Sequence, residues 1–363
     1  MRVALFVHSF RSCWNHGNAH FLRGVASELA ARGHEVTAWE EEGAWSAENL
    51  AHDHGRSALT LWREAYPMLD VRVYPPGGPD LGEALDGVAL ALVHEWNRPE
   101  LVTRLGAERR RRPGLRLCFH DTHHRAVTSP EELFRFDLSG YDAALVFGAV
   151  LRDVYLRRGA AARVEVWHEA ADVRVFVPIE STREGDVVFV GNWGDGERTA
   201  ELREFLLVPV RALGLSGTVH GVRWPEHGLS ALAGAGLAFR GWLPNHRVPG
   251  ALARHGAGVH VPRRPYAEAL PGIPTIRVFE TLACGVPLVT APWEDAEGLF
   301  RPGRDYLVAR NGAEMARCLE ALREEPGLAL GVARSGLETV RARHTVAHRV
   351  DELLAIHGSL ART

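Results

Sequence analysis

The chain has 363 residues, 46% hydrophobic and 24% charged, with a formal net charge of -3. That is material for two domains of roughly 100–200 residues each, and the near-neutral balance lacks the basic footprint of a nucleic-acid binder. No apolar run reaches the roughly 18 residues of a membrane span, and Met1–His8 turns polar too soon for a signal peptide.

The four cysteines, Cys13, Cys118, Cys284 and Cys318, form no CxxC pair. Neither a disulfide framework nor a cysteine-rich zinc site is indicated, and a cytoplasmic location is expected. Short β-rich runs alternate with helical patterns throughout, which implies βα units around parallel sheets. Arg2–His8 reads as a strand. The next helix carries Phe21, Leu22, Val25 and Leu29 on one face and ends at Gly33-His34, where Glu35–Trp39 begins a second strand. Val88–Val93, Leu115–Phe119 and Ala143–Phe147 read as further strands between helices at Arg98–Arg110 and Ala149–Arg158. The basic run Arg109–Arg112 reads as a solvated helix end, where cations suit the dipole.

Residues 170–186 read as a linker, and a second α/β series follows it. Its expected order is strand Asp186–Val190, helix Glu197–Leu213, strands Thr218–Val222 and Leu237–Phe239, and helix Val248–His255. Strand Gly258–Val261, helix Thr275–Cys284, strand Pro287–Thr290 and helix Ala313–Glu324 complete it. The last helix, Val346–Ile356, carries Val346, Val350, Leu353 and Leu354 and is expected to pack back on the first domain. The chain thus divides into residues 1–170, 171–345 and a terminal 346–363 segment. Ligands of open α/β sheets bind beyond the carboxyl ends of the strands, so the loops after strands are where chemistry is sought.

The stretch from Pro271 to Val289 is the most informative. Pro271 and Gly272 set a tight turn, Pro274 starts a helix near its first position, and Gly285 ends it. A helix start offers free N–H groups and a positive dipole end, a seat for a diphosphate. Glu280, inside the helix, can accept two hydroxyl hydrogen bonds, as a ribose diol requires. Arg263, Arg264 and Arg277 lie just before and within this segment, and guanidinium groups suit a diphosphate without a metal. Solvated surface arginines are the alternative.

The run Arg277-Val278-Phe279-Glu280-Thr281-Leu282-Ala283-Cys284-Gly285-Val286-Pro287, followed by Gly298-Leu299-Phe300-Arg301-Pro302-Gly303, resembles the CgeB-like group of GT-B glycosyltransferases, relatives of the group 1 glycosyltransferases. The resemblance covers residues 170–357 well and the first half more loosely. It implies two doubly wound Rossmann-like domains facing a central cleft. There, a sugar would pass from a nucleoside-diphosphate sugar to an unidentified acceptor, with no metal or other cofactor. On this resemblance Glu280 matches the second glutamate of an E-x7-E motif and holds the donor ribose, while Thr275 and Ile276 meet the diphosphate. The first glutamate of that motif would fall at Gly272 and is missing. Gly191 and Asn192 resemble the opening of the family's glycine loop, with an ordinary strand-to-helix turn as the alternative. Asp195 and Arg198 stand where the related family has a lysine. Trp242, in Gly241-Trp242-Leu243-Pro244, resembles a residue of the nucleobase loop, unless it is a core tryptophan.

In the first half, Cys118–His124 follows a strand. His120, Asp121 and His123 suit the transfer of an acceptor proton or the holding of hydroxyls, and the segment resembles the histidine loop of related transferases. Asn15 and His16, and likewise Glu95, Trp96 and Asn97, sit in strand-end loops whose mixture of aromatic and polar groups suits an acceptor. Despite 19 histidines, with His16 and His20 four apart, no HExxH or comparable ligand spacing is present, and no metal site is expected. Two rivals share the fold expectation: a sugar-nucleotide epimerase or hydrolase, and a non-catalytic sugar-nucleotide scaffold.

Overall fold

The five expected strands of the first half and two more form one parallel sheet in this structure, a computed structural model that describes residues 1–360. Its strands are β1 (Arg2–Val7), β2 (Glu35–Glu41), β3 (Asp70–Tyr74), β4 (Val88–His94), β5 (Arg116–Asp121), β6 (Ala143–Val146) and β7 (Val164–Val166), in the order β3-β2-β1-β4-β5-β6-β7. Helices cover both faces of such a sheet, so central strands must be apolar on both sides. Val3 to Val7 and Leu90 to Val93 are accordingly buried without alternation. Strand order reverses between β1 and β4, which opens a crevice at their carboxyl ends.

The second sheet contains β8 (Gly185–Val190), β9 (Gly217–His220), β10 (Leu237–Phe239), β11 (His255–His260), β12 (Leu288–Thr290) and β13 (Leu307–Val308), in the order β10-β9-β8-β11-β12-β13. It too is parallel, and its reversal lies between β8 and β11. Successive side chains of a strand face opposite ways. Val187 and Phe189 enter one apolar cluster with Leu206, Trp224 and Met315, while Val188 enters another with Phe279, Phe300 and Tyr306.

The chain divides into two compact units: Met1–Glu169 with the segment from Val346 onward, and Ala170–Thr345. Within the first, helix Val346–Leu360 packs on helix Asn18–Ala31. Arg32 Nη1 reaches Asp351 at 2.5 Å, and Trp167 Nε1 donates to the Arg349 carbonyl at 2.8 Å.

Several expectations need correction. Pro274 precedes the helix rather than opening it: Thr275 is the N-cap and the helix spans Ile276–Ala283. The helix after β8 starts at Thr199 and contains a π turn over Arg203–Leu207. Pro209, two residues on, has no N–H to donate, and the wider turn absorbs that missing bond. Arg109 is not solvated; it grips Asp142 with two hydrogen bonds of 2.7 Å.

Candidate functional site

In the second unit the loop after β8 carries Gly191 and Asn192, and a helix between β11 and β12 carries Glu280. Glu280 is buried on helix Ile276–Ala283. Its Oε1 accepts from Asn245 Nδ2 at 3.0 Å and its Oε2 from Arg277 Nη1 at 2.5 Å. Arg277 is therefore held on the same helix by the residue three positions on, a spacing at which helical side chains meet.

The start of this helix is braced from the sheet. His260, at the end of β11, touches Thr290 Oγ1 with Nδ1 at 2.8 Å and Thr275 Oγ1 with Nε2 at 2.9 Å. Thr290 gives its own hydroxyl hydrogen to the Ala291 carbonyl, so Nδ1 of His260 carries the proton and Nε2 accepts from Thr275. Burial pushes His260 down to about 3, which keeps the ring in this neutral tautomer. No side chain caps the helix start, leaving the first amides of the Thr275–Ile276 region open to an anion.

Gly191 and Asn192 follow β8. The Gly191 carbonyl accepts from Trp224 Nε1 at 3.0 Å, and a Cβ on Gly221 would lie 2.1 Å from that oxygen. Only glycine fits there. Arg198 lies beneath the loop, donating to the Asn192 carbonyl at 2.6 Å, Asn192 Oδ1 at 2.7 Å and the Val261 carbonyl at 2.9 Å. Burial, then neighbouring Arg263, lowers it to about 9, and its Nε is sealed without a partner.

Two of the expected diphosphate arginines are already engaged. Arg263 pairs with Glu197 at 2.6 Å, and Arg264 grips Glu201 at 2.9 and 3.2 Å. Trp242 is half-buried and belongs to neither apolar cluster, whereas its neighbour Leu243 packs on one. Gly272 has φ +89°, and a Cβ there would stand 3.0 Å from Glu297 Cγ. The Glu297 side chain thus packs where the resemblance would place a glutamate.

In the first unit, candidates cluster at the carboxyl ends of β1, β4 and β5. Glu95 and Asp121 are both fully buried. Glu95 Oε2 accepts from Arg125 Nη2 at 2.6 Å, while Asp121 accepts from Tyr155 Oη at 2.8 Å and the His123 amide at 3.0 Å. Burial raises the affinity of both carboxyls for a proton, and the Asp121 charge raises that of Glu95 further. A proton shared by the pair would leave a single negative charge opposite the single cation of Arg125. Glu95 is therefore a support beneath Trp96, over which Arg125 Cζ sits at 3.9 Å.

His120 is buried between Phe21, His94 and Trp167 with neither ring nitrogen bonded, and burial lowers it to about 3. His16 lies edge-on to His8 at 5.3 Å. Asn15 takes φ +48° in the same loop. Asn97 is a strut: its Nδ2 donates to the carbonyls of Phe6 and His94, both at 2.8 Å. Among the described residues, no group of three or more His, Cys, Asp or Glu is placed to hold a metal ion.

Sequence reasoning missed Asn245 and His260 as site residues, and gave Arg198 no more than a position. The strand-end rule would have found His260 had β11 been ended one residue earlier.

Residues 198–355, which include Glu280 and its helix, match a protein family described as glycosyl transferase-like. No curated protein sequence matches the chain. Solved structures resemble it along nearly its full length. Sucrose-phosphate synthase from Thermosynechococcus elongatus is 14% identical with a TM-score of 0.68, covering 99% of each chain. HepE from Anabaena, solved with UDP, is 12% identical with a TM-score of 0.67, covering 99% of this chain and 100% of that one. BGT of T4 phage, solved with UDP-glucose, is 13% identical with a TM-score of 0.61, covering 98% and 99%. The chain therefore has the GT-B glycosyltransferase fold of two parallel-sheet, Rossmann-like domains, and its segment 198–355 is similar to the glycosyl transferase-like family.

Proposed function

We propose that this protein is a group 1 glycosyltransferase, CgeB-like in subtype, that moves a sugar from a nucleoside-diphosphate sugar to an acceptor. The second unit takes the donor and the first takes the acceptor. One observation carries the reading: Glu280 presents a carboxylate one helical turn beyond an uncapped helix start that His260 holds in place. Carboxylate and amides at that separation suit the ribose diol and diphosphate of one nucleotide.

In transfer, the bond between the sugar's anomeric carbon and the diphosphate breaks, and its electron pair leaves with the diphosphate. The helix start, Arg277 and Arg198 stabilise that charge, as pre-placed dipoles and cations do in a dry site. The acceptor oxygen forms the new bond and gives up its proton. His120, neutral but sealed between Phe21, His94 and Trp167, reaches a sugar hydroxyl only when those rings part. Asp121 fixes the His123 backbone, and His123 takes the proton. In this proposal the diphosphate charge is met by protein dipoles and cations and the reaction is metal-independent; BGT has been solved with UDP and Mn2+. The UDP complexes of HepE and BGT favour UDP over other nucleotides.

The test is equilibrium binding of UDP, GDP, dTDP and ADP to wild type and Glu280→Ala, with and without EDTA. Selective, EDTA-insensitive binding that weakens in the variant supports the proposal. Failure of all four nucleotides to bind folded protein overturns it.

A further inference from the structure

Four aromatic rings line up across the first sheet. Trp45 opens the helix Trp45–His54 after β2, His8 follows β1, Trp96 follows β4 and His123 follows β5. In sheet order β2-β1-β4-β5 these strands are neighbours. Ring centroids are 6.4 Å apart from Trp45 to His8, 6.2 Å from His8 to Trp96 and 5.3 Å from Trp96 to His123. The row runs across the strands, because each ring lies in the segment that follows its own strand.

Both tryptophans are exposed, Trp45 at 43% and Trp96 at 41%. Each has a support behind it. Trp14 meets Trp45 edge-on at 5.1 Å and is tied by its Nε1 to Asp53 at 2.9 Å. Arg125 covers one face of Trp96 while bonded to buried Glu95. Two buried carboxyls and an arginine thus hold an exposed indole in a fixed attitude.

The row combines apolar faces with polar edges. The indole N–H groups of Trp45 and Trp96 have no hydrogen-bond partner among the described residues. His8 accepts the Ser46 amide at Nε2 over 3.4 Å, so in the neutral ring its Nδ1–H is left to donate outward. The ring of His8 is uncharged, since burial, then Arg125, lowers it to about 4. The cation against the row, Arg125 over Trp96, is occupied by Glu95.

We propose that this row is the acceptor subsite and that the acceptor is a neutral saccharide, its pyranose rings lying on Trp45 and Trp96 with hydroxyls bonded to the ring edges. The inference rests on the reading above that the first unit takes the acceptor. Aromatic faces carry negative charge density, which suits the C–H faces of a sugar ring. A phosphorylated or carboxylated acceptor would require a free cation in the row. A planar aromatic acceptor would stack on the indoles but bring fewer oxygens to the outward-facing donors.

The experiment screens full-length protein on an array of neutral and acidic oligosaccharides. The best neutral binder, UDP and 4-nitrophenol are then titrated into wild type, Trp45→Ala, Trp96→Ala and Trp96→Phe. The expected result is a neutral oligosaccharide whose binding falls at least tenfold in both alanine variants and falls less in Trp96→Phe, which keeps a ring face but loses the N–H. UDP should bind all four proteins alike, which shows that the variants fold. No neutral binder, equal binding by the alanine variants, or Trp96-dependent binding of an acidic sugar or 4-nitrophenol would overturn the proposal. Failure of the donor reading is distinguishable, because it shows as wild-type protein that binds no UDP.

Discussion

Replacing Glu280 by alanine removes a carboxylate that is 1% exposed and already engaged by Asn245 and Arg277. A carboxylate has about four lone-pair sites. At least two are in use, and a ribose diol needs two. Because the group is nearly sealed, an incoming diol must partly exchange with Arg277 or Asn245 rather than simply add to them. The net gain is then nearer one charge-assisted hydrogen bond than two. Such bonds contribute about 1.5–3 kcal/mol, roughly ten- to a hundredfold in Kd, and exchange places the expected loss near the tenfold end.

Stability should shift separately. Alanine leaves the Arg277 guanidinium, whose side chain is 18% exposed, without its carboxylate. The cost falls below the ~3–5 kcal/mol of a fully buried broken pair, at about 2 kcal/mol. Glu280→Gln keeps the shape and the Asn245 contact but loses the charge, so it should lose less affinity than alanine. Calorimetric titration of UDP reads the first quantity and thermal unfolding the second. A folded Glu280→Ala protein that binds UDP as tightly as wild type would refute the reasoning and move the ribose elsewhere.

Buried His8 and His220 near 4, and His120 and His260 near 3, lie below the unfolded value of about 6.5. The unfolded chain therefore binds protons that the folded chain refuses, and stability, complete above pH ~6.5, should fall as pH drops toward 4. In His260→Gln part of that slope disappears; an unaltered profile of Tm against pH would contradict this. The Glu95–Asp121 pair acts in the opposite sense, since its raised proton affinity costs stability as pH climbs above the ordinary carboxylate range. Glu95→Gln, isosteric with the protonated acid, should gain in Tm relative to wild type between pH 5 and 8, and parallel curves would exclude the shared proton. Gly221→Ala, with its Cβ 2.1 Å from the Gly191 carbonyl, should lose about 1–3 kcal/mol of stability and weaken UDP binding by displacing the glycine loop. Unchanged UDP affinity would separate that loop from the donor site.

Central strands and the Glu280 helix were readable because local sequence and global fold agree there. Leu90 to Val93 can only be a two-sided buried strand, and Gly285, with φ +64°, stops its helix as a left-handed residue should. β3 was missed because Asp70–Tyr74 lies at the sheet edge with most of its side chains exposed. Helix Pro326–Arg343 was missed because Gly327, Gly331 and Gly336 lower its apparent propensity. Gly336 answers to packing, since a Cβ there would stand 2.6 Å from the Asp305 carbonyl.

The site divides in the same way. Which residue types end the strands was legible, but which of them face a neighbour was not. Arg263 meets Glu197 across 66 positions and Arg125 meets Glu95 across 30, so the charge state of the candidate site depends on pairings that spacing does not encode. The aromatic row shows why most plainly. Along the chain its members run His8, Trp45, Trp96, His123, and nothing marks the first as lying between the second and the third. The sheet places β2 on one side of β1 and β4 on the other, so His8 becomes the middle of a row only once the strand reversal is known.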